Sequence, residues 1–212
     1  TMKPAPLSPV SLSYAGLFDA YKNSNITSFD DEVRFLTQYF NENFSEIIEQ
    51  SKLETNFNRF GFFDKAMKIY VVIFILVLLS WLFKATNFNR MGYELMIVAF
   101  ILHTIGIGLR MLLQDRPPVT NLYSSAIFVG WFSIVMGIIF ERINRNGLGN
   151  IAAAIIGFVT LIIAHHLSLA GDTLEMMQAV LDTNIWLATH VVIITMGYGA
   201  TIIAGIIAHV YI

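Results

Sequence analysis

Cysteine is absent from all 212 residues. That removes disulfides, thiolate metal ligands and a thiol nucleophile from this segment. Charge is scarce too: Asp, Glu, Lys and Arg make up 13% of the chain, about half the share of an ordinary soluble domain. With a net charge of −2 and no basic run, the sequence lacks the footprint of a nucleic-acid binder, and no nucleic-acid partner is expected. The opening residues, TMKPAPLSPV, have no apolar core of the kind a signal peptide needs. There is no His-x-x-x-His pair either, which argues against a zinc site.

What remains is hydrocarbon, at 56% apolar residues, and it is unevenly spread. Residues 1–68 are polar and hold most of the acidic groups, whereas the rest is a series of apolar runs. A bilayer core takes roughly 20 mostly apolar residues per helix. Stretches near 66–83, 94–113, 122–140, 150–169 and 185–212 meet that length. Backbone groups in lipid must be satisfied within the segment, so these runs predict helices. The expected fold is therefore all-α: a polytopic membrane bundle of about five spans (66–212) behind an N-terminal helical extramembrane head (1–65).

Loop charge orients the bundle. Lys84 and Arg90 follow the first span, and Arg142 and Arg145 follow the third. The connection after the fourth, AGDTLEMMQAVLDTN, carries Asp172, Glu175 and Asp182 and no cation. The positive-inside rule then puts the first two connections in the cytoplasm and the last outside, with the head also outside. A head on that side implies earlier spans upstream, so the sequence reads as the central piece of a longer polypeptide. Within the head, SFDDEVRFLTQYFNENFSEIIEQSKL offers Ser28 as N-cap. Phe29, Val33, Leu36, Phe40, Phe44 and Ile47 follow it at helical spacing, as a structural amphipathic helix or a docking surface requires.

Five histidines are the main chemical resource: His103 in mid-span, His165 and His166 near the outer end of the fourth span, His190 near the outer end of the fifth, and His209 near its inner end. His190 and His209 are 19 residues apart on one helix. At 1.5 Å per residue that is roughly 28 Å, too far to share a metal. Imidazole ligates haem iron as readily as zinc, and a haem asks only for axial ligands in an apolar, aromatic enclosure. Each histidine also has a plainer reading. His103 suits interhelical hydrogen bonding as well as a cofactor or proton role, and His165 and His166 sit at interfacial depth. Trp131 can pack or stack on a ligand, while Trp81 and Trp186 fall where an aromatic belt forms.

Two stretches carry a family likeness. RPPVTNLYSSAIFVGW (116–131) resembles the start of a span in the CcsA family of cytochrome c biogenesis proteins. LDTNIWLATHVVIITMGYGATIIAG resembles that family's Ser/Thr-Asn-x-Trp-Leu-x-x-His-Val segment and the Gly/Ser-Tyr-Ala stretch after it. The likeness runs over roughly residues 100–212, with a weaker one upstream in FNRFGFFDKAMKIYVVIFILVLLSWL. It implies a part in the ResB–CcsA (System II) machinery, which carries haem b across the membrane and presents it outside for attachment to apocytochrome c. The implied setting is the inner (plasma) membrane, with a ResB-like partner or fused domain, and the implied role is part of a cytochrome c synthase assembly.

The family's outer axial haem ligand corresponds to His190, behind Trp186 and Leu187. The lead-in supplies a proline lip, with Arg116 for a haem propionate or a lipid phosphate, Asn121 as N-cap, and Tyr123, Ser124 and Ser125 at the mouth. Trp131 and His103 are lesser candidates for the same cofactor. Two departures stand out. Ser124 occupies a position where the family often has Glu, and a serine cannot reach back to close a capping box. The Trp-rich outer loop and the opposite axial histidine would lie beyond Ile212. Two other readings remain from the residues alone: a secondary transporter fragment broken at HTIGIGLRM around His103, and a structural membrane subunit with histidines as interhelical glue.

Overall fold

A computed structural model of the chain describes residues 8–170 and 187–212. Among the described residues every regular element is helical, and the chain divides into two compact units, one up to Asn56 and the other Phe57–Ile212.

The first unit is built on α1 (Pro9–Lys22) and α2 (Ile26–Asn43), and α3 (Ser45–Phe60) runs from it into the second. Proline opens α1 behind Ser8, whose hydroxyl accepts from the Ser11 N–H at 3.1 Å. The cap of α2 is Asn25, whose side chain accepts from the Ser28 N–H at 3.2 Å. The expected cap, Ser28, thus lies three residues inside the helix, because Asn25 already caps it one turn earlier through the Ser28 N–H. Ser13 donates to the Glu32 carboxylate at 2.5 Å, and Gly16 leaves room for that glutamate between α1 and α2. The apolar stripe expected over 29–47 is interrupted at Phe44, where α2 ends, and Leu36 is its one buried member.

Among the described residues five helices are long and apolar enough to cross a membrane, which makes this a multi-pass membrane protein. Gly61, at φ 63°, breaks the chain between α3 and α4 (Phe62–Phe83). Then come α5 (Thr86–Gln114), α6 (Leu122–Asn144), α7 (Leu148–Ala170) and α8 (Val192–Tyr211), the last led in by a π-helical turn, Leu187–Val191. Residues 57–65, read from the sequence as head, belong to this second unit, where Phe63 packs on His103 and against Gly106.

Every span but α7, which is buried on all sides over residues 149–154, buries one stripe. On α4 it is Ala66, Tyr70, Ile73, Val77 and Ser80, alternating steps of four and three. The centre of the bundle is α7, the most buried of the five, and small residues let its neighbours approach. Gly157 receives the Tyr70 ring, Gly130 faces Thr160, and Gly137 faces Gly149 and Ala153. By contrast α8 is the least buried span, with Thr195, Gly199 and Ile203 as its inward side. Ser133 on α6 donates to the Gly199 carbonyl at 3.1 Å, and Ile203 lies against Gly137. Both contacts are 66 residues apart in sequence, so α8 runs parallel to α6 with a constant register.

Candidate functional site

The polar collar forms at the bundle end where α5 stops and α6 starts. Asp115 closes α5 in the left-handed conformation at φ 49°, and Pro117 and Pro118 keep the next residues from continuing the helix. Arg116 is half-buried on this lip. Val119, Thr120 and Asn121 then turn inward and are buried. The Asn121 side chain accepts from the Ser124 N–H at 2.8 Å, and the Ser125 hydroxyl donates to the Asn121 carbonyl at 2.8 Å. Thr120 and Ser124 share a hydroxyl contact of 3.4 Å. Ser124 therefore does its work through its own N–H and its threonine neighbour, and the start of α6 is capped without the glutamate of a capping box.

Next to the collar lies a cavity of about 280 Å³ whose lining includes Phe62, Asp64, Arg110, Tyr123 and His165. Arg110 is only 6% exposed, and its guanidinium lies over the Tyr123 ring, 4.5 Å from the centroid. A cation held against an aromatic face in this way is stabilised where water is scarce. Asp64 and His165 face one another across 3.8 Å. Sequence reasoning took Arg116 as the cation of this end and passed over Arg110. The signal was present as a lone charge inside the apolar run HTIGIGLRM, since such residues in spans are seldom idle.

His190 sits on the π-helical turn that leads into α8, and it is exposed. The 66-residue register between α6 and α8 puts His190 level with Ser124, in the first turn of α6. Trp186 lies outside the described residues. Trp131 is deeper: its indole N–H donates to the Thr104 hydroxyl at 2.9 Å, and its ring stacks near both Phe100 and Phe128. Deepest is His103, fully buried, with Nδ1 3.2 Å from the Tyr70 hydroxyl and the Phe63 ring edge-on to it.

No family model matches the chain. Curated relatives do. Over 165 residues it is 30% identical to Protein NrfI of Wolinella succinogenes, a match covering 73% of this chain and 18% of that protein. Over 148 residues it is 26% identical to the cytochrome c biogenesis protein CcsA of Trichormus variabilis, covering 66% of this chain and 41% of that protein. The chain is a homologue of the CcsA proteins. It is also 23% identical over 150 residues to Protein HemX of Brevibacillus brevis, covering 71% of this chain and 54% of that one. The chain spans less than half the length of the first two relatives.

For this CcsA homologue, the structure gathers Asn121, Tyr123, Ser124 and the unforeseen Arg110 at one bundle end, with His190 at the same depth on a neighbouring helix. Trp131 and His103 are not part of that group, since both are engaged by side chains in the interior. Among the described residues no three of His, Asp and Glu converge to hold a metal ion.

Proposed function

We propose that this chain serves cytochrome c biogenesis by holding haem b, as substrate, at the outer face of the membrane for covalent attachment to apocytochrome c. His190 is the axial ligand in this reading. The observation that carries it is the state of that side chain. His165 lies near Asp64, His166 Nδ1 is 2.9 Å from the Ile162 carbonyl, His103 faces Tyr70 through Nδ1 while its unpartnered Nε2 is fully buried, and His209, exposed like His190, sits in the last turn of α8 at the other end of the bundle. His190 is exposed on a π-helical turn, a distortion that often accompanies functional sites, and has no hydrogen bond or ion pair among the described residues. A lone pair free to bind iron is the minimum the chemistry needs.

The surrounding groups suit a dicarboxylate porphyrin. Arg116 on the proline lip supplies a cation for a propionate, and Trp186, four residues before His190 in the sequence, supplies an aromatic ring for the macrocycle. Attachment adds each substrate thiol across a haem vinyl group. The chain acts by positioning, because the collar offers hydrogen-bond donors and a cation rather than a nucleophile. A ResB-like domain or partner, the inner-membrane setting and the outward orientation belong to the same proposal.

The experiment is the visible spectrum of the full-length protein purified with and without His190→Gly. Loss of bound haem in the variant, restored by added imidazole, is the expected result. An unchanged spectrum in the variant rejects His190 as the ligand.

A further inference from the structure

The opposite end of the bundle holds a second and larger cavity, about 1010 Å³, between the α4–α5 and α6–α7 turns. Four cations line it: Lys84, Arg90, Arg142 and Arg145. Arg90 is paired with Glu94 at 3.1 Å, and among the described residues the other three have no carboxylate partner. Glu141, the one acidic residue of the lining, is 2% exposed and committed elsewhere. Its oxygens accept from the Gly147 N–H at 2.9 Å, the Gly149 N–H at 3.1 Å and the Asn89 amide at 2.7 Å. The charge that a visitor meets is therefore positive.

Three further features of the wall bear on the visitor. Trp81 and Tyr93 give it an aromatic part, and the Trp81 indole is fixed by donating to the Asn146 carbonyl at 2.9 Å. Thr86 and Asn87 line it from the first turn of α5, which has neither a side-chain cap nor an acidic residue. Its depth is that of the helix ends, where α4 stops at Phe83 and α6 at Asn144. In a bilayer this is the level of lipid headgroups.

We propose that this cavity binds the headgroup of an anionic phospholipid. Lys84, Arg142 and Arg145 pair with the phosphodiester, and Trp81 and Tyr93 lie against the glycerol and upper acyl carbons. A zwitterionic headgroup brings its own cation against three others, so the site discriminates by charge. Free phosphate has the right charge but nothing to set against the aromatic wall. The proposal is independent of His190 and of haem.

Native mass spectrometry of the full-length protein in an uncharged detergent tests it, titrating dihexanoyl-phosphatidylglycerol, dihexanoyl-phosphatidylcholine and inorganic phosphate separately. Phosphatidylglycerol should bind at least tenfold more tightly than either of the others. Each of Lys84→Gln, Arg142→Gln and Arg145→Gln should weaken it about fivefold, from roughly 1 kcal/mol per cation at a membrane surface. Lys68→Gln, at the other end of the bundle, should change nothing. Equal binding of phosphatidylcholine overturns the proposal, and phosphate matching phosphatidylglycerol overturns the lipid assignment. Equal weakening by Lys68→Gln overturns the location. The single substitutions are all at exposed side chains, so the test does not depend on a multiple variant folding.

Discussion

The Tyr70 hydroxyl and His103 Nδ1 meet at 3.2 Å with both side chains fully buried, joining α4 to α5 in the middle of the bundle. Beside them, Gly157 on α7 accepts the Tyr70 ring, so one tyrosine ties its own helix to two others. Tyr70→Phe keeps the ring and removes the hydrogen bond. Interhelical hydrogen bonds in membranes average about 0.6 kcal/mol and reach about 2. The loss should fall in the upper part of that range, because the histidine nitrogen is left without a partner. Thermal unfolding followed by circular dichroism measures it. In the same series His103→Leu should lower stability and leave bound haem unchanged. Haem lost at unchanged stability would mark His103 as a ligand instead.

Glu141 makes a stronger prediction. Its carboxylate caps the start of α7 through the Gly147 and Gly149 N–H groups and ties in Asn89, whose side chain in turn accepts from Asn150 at 2.9 Å. Hydrogen bonds to an ionised group contribute about 1.5–3 kcal/mol each, and buried donors left unmet cost more than the bond itself contributed. Glu141→Ala should destabilise by about 3 kcal/mol and Glu141→Gln by about half as much, since an amide oxygen still accepts. Unfolding temperatures of the two variants, measured in the same detergent, decide it.

Glycines divide sharply by position. A Cβ on Gly149 would lie 2.6 Å from the Glu141 backbone nitrogen and closer still to the Gly137 carbonyl, and backbone atoms cannot rotate away. Gly149→Ala should push α7 off α6 and cost about 1–3 kcal/mol. A Cβ on Gly205 meets nothing within 4 Å. Gly205→Ala should be neutral or stabilise by up to about 1 kcal/mol through helix propensity alone. If the two variants unfold together, the close approach of α6 and α7 is not what the glycine secures.

The spans were readable because lipid imposes a length and an apolar composition, and the Asn121 cap was readable because a capping side chain lies next to its own helix. Arg110 and Glu141 were not. Each is a charge near the end of an apolar run, and what distinguishes it from an ordinary interfacial charge is a partner far along the chain or across a turn: Tyr123 for one, Asn89 and two glycine amides for the other. The head fared worse for a related reason. Asn25 and Ser28 compete for the same helix start, and composition does not rank them. His190 was marked by its motif, whereas its level with Ser124 follows from the α6–α8 register, which no local pattern encodes.

Orientation provides the last prediction, and the haem proposal leans on it. His190 and Asn121 share one end of the bundle, and Lys84, Arg142 and Arg145 occupy the other. Short loops rich in Lys and Arg stay in the cytoplasm. The connection of residues 171–186 carries only acids. Lys65, Lys68, Arg110 and Arg116 lie toward the His190 end and oppose that assignment, but Arg110 is buried over Tyr123 and Lys65 stacks 3.2 Å over Phe60. Two of the four dissenting charges thus have local partners within the bundle. A reporter fused after Asn146 should therefore be active in its cytoplasmic form, and one fused within 171–186 in its exported form. The reverse pattern would put His190 on the cytoplasmic side, where it has no outward role in presenting haem.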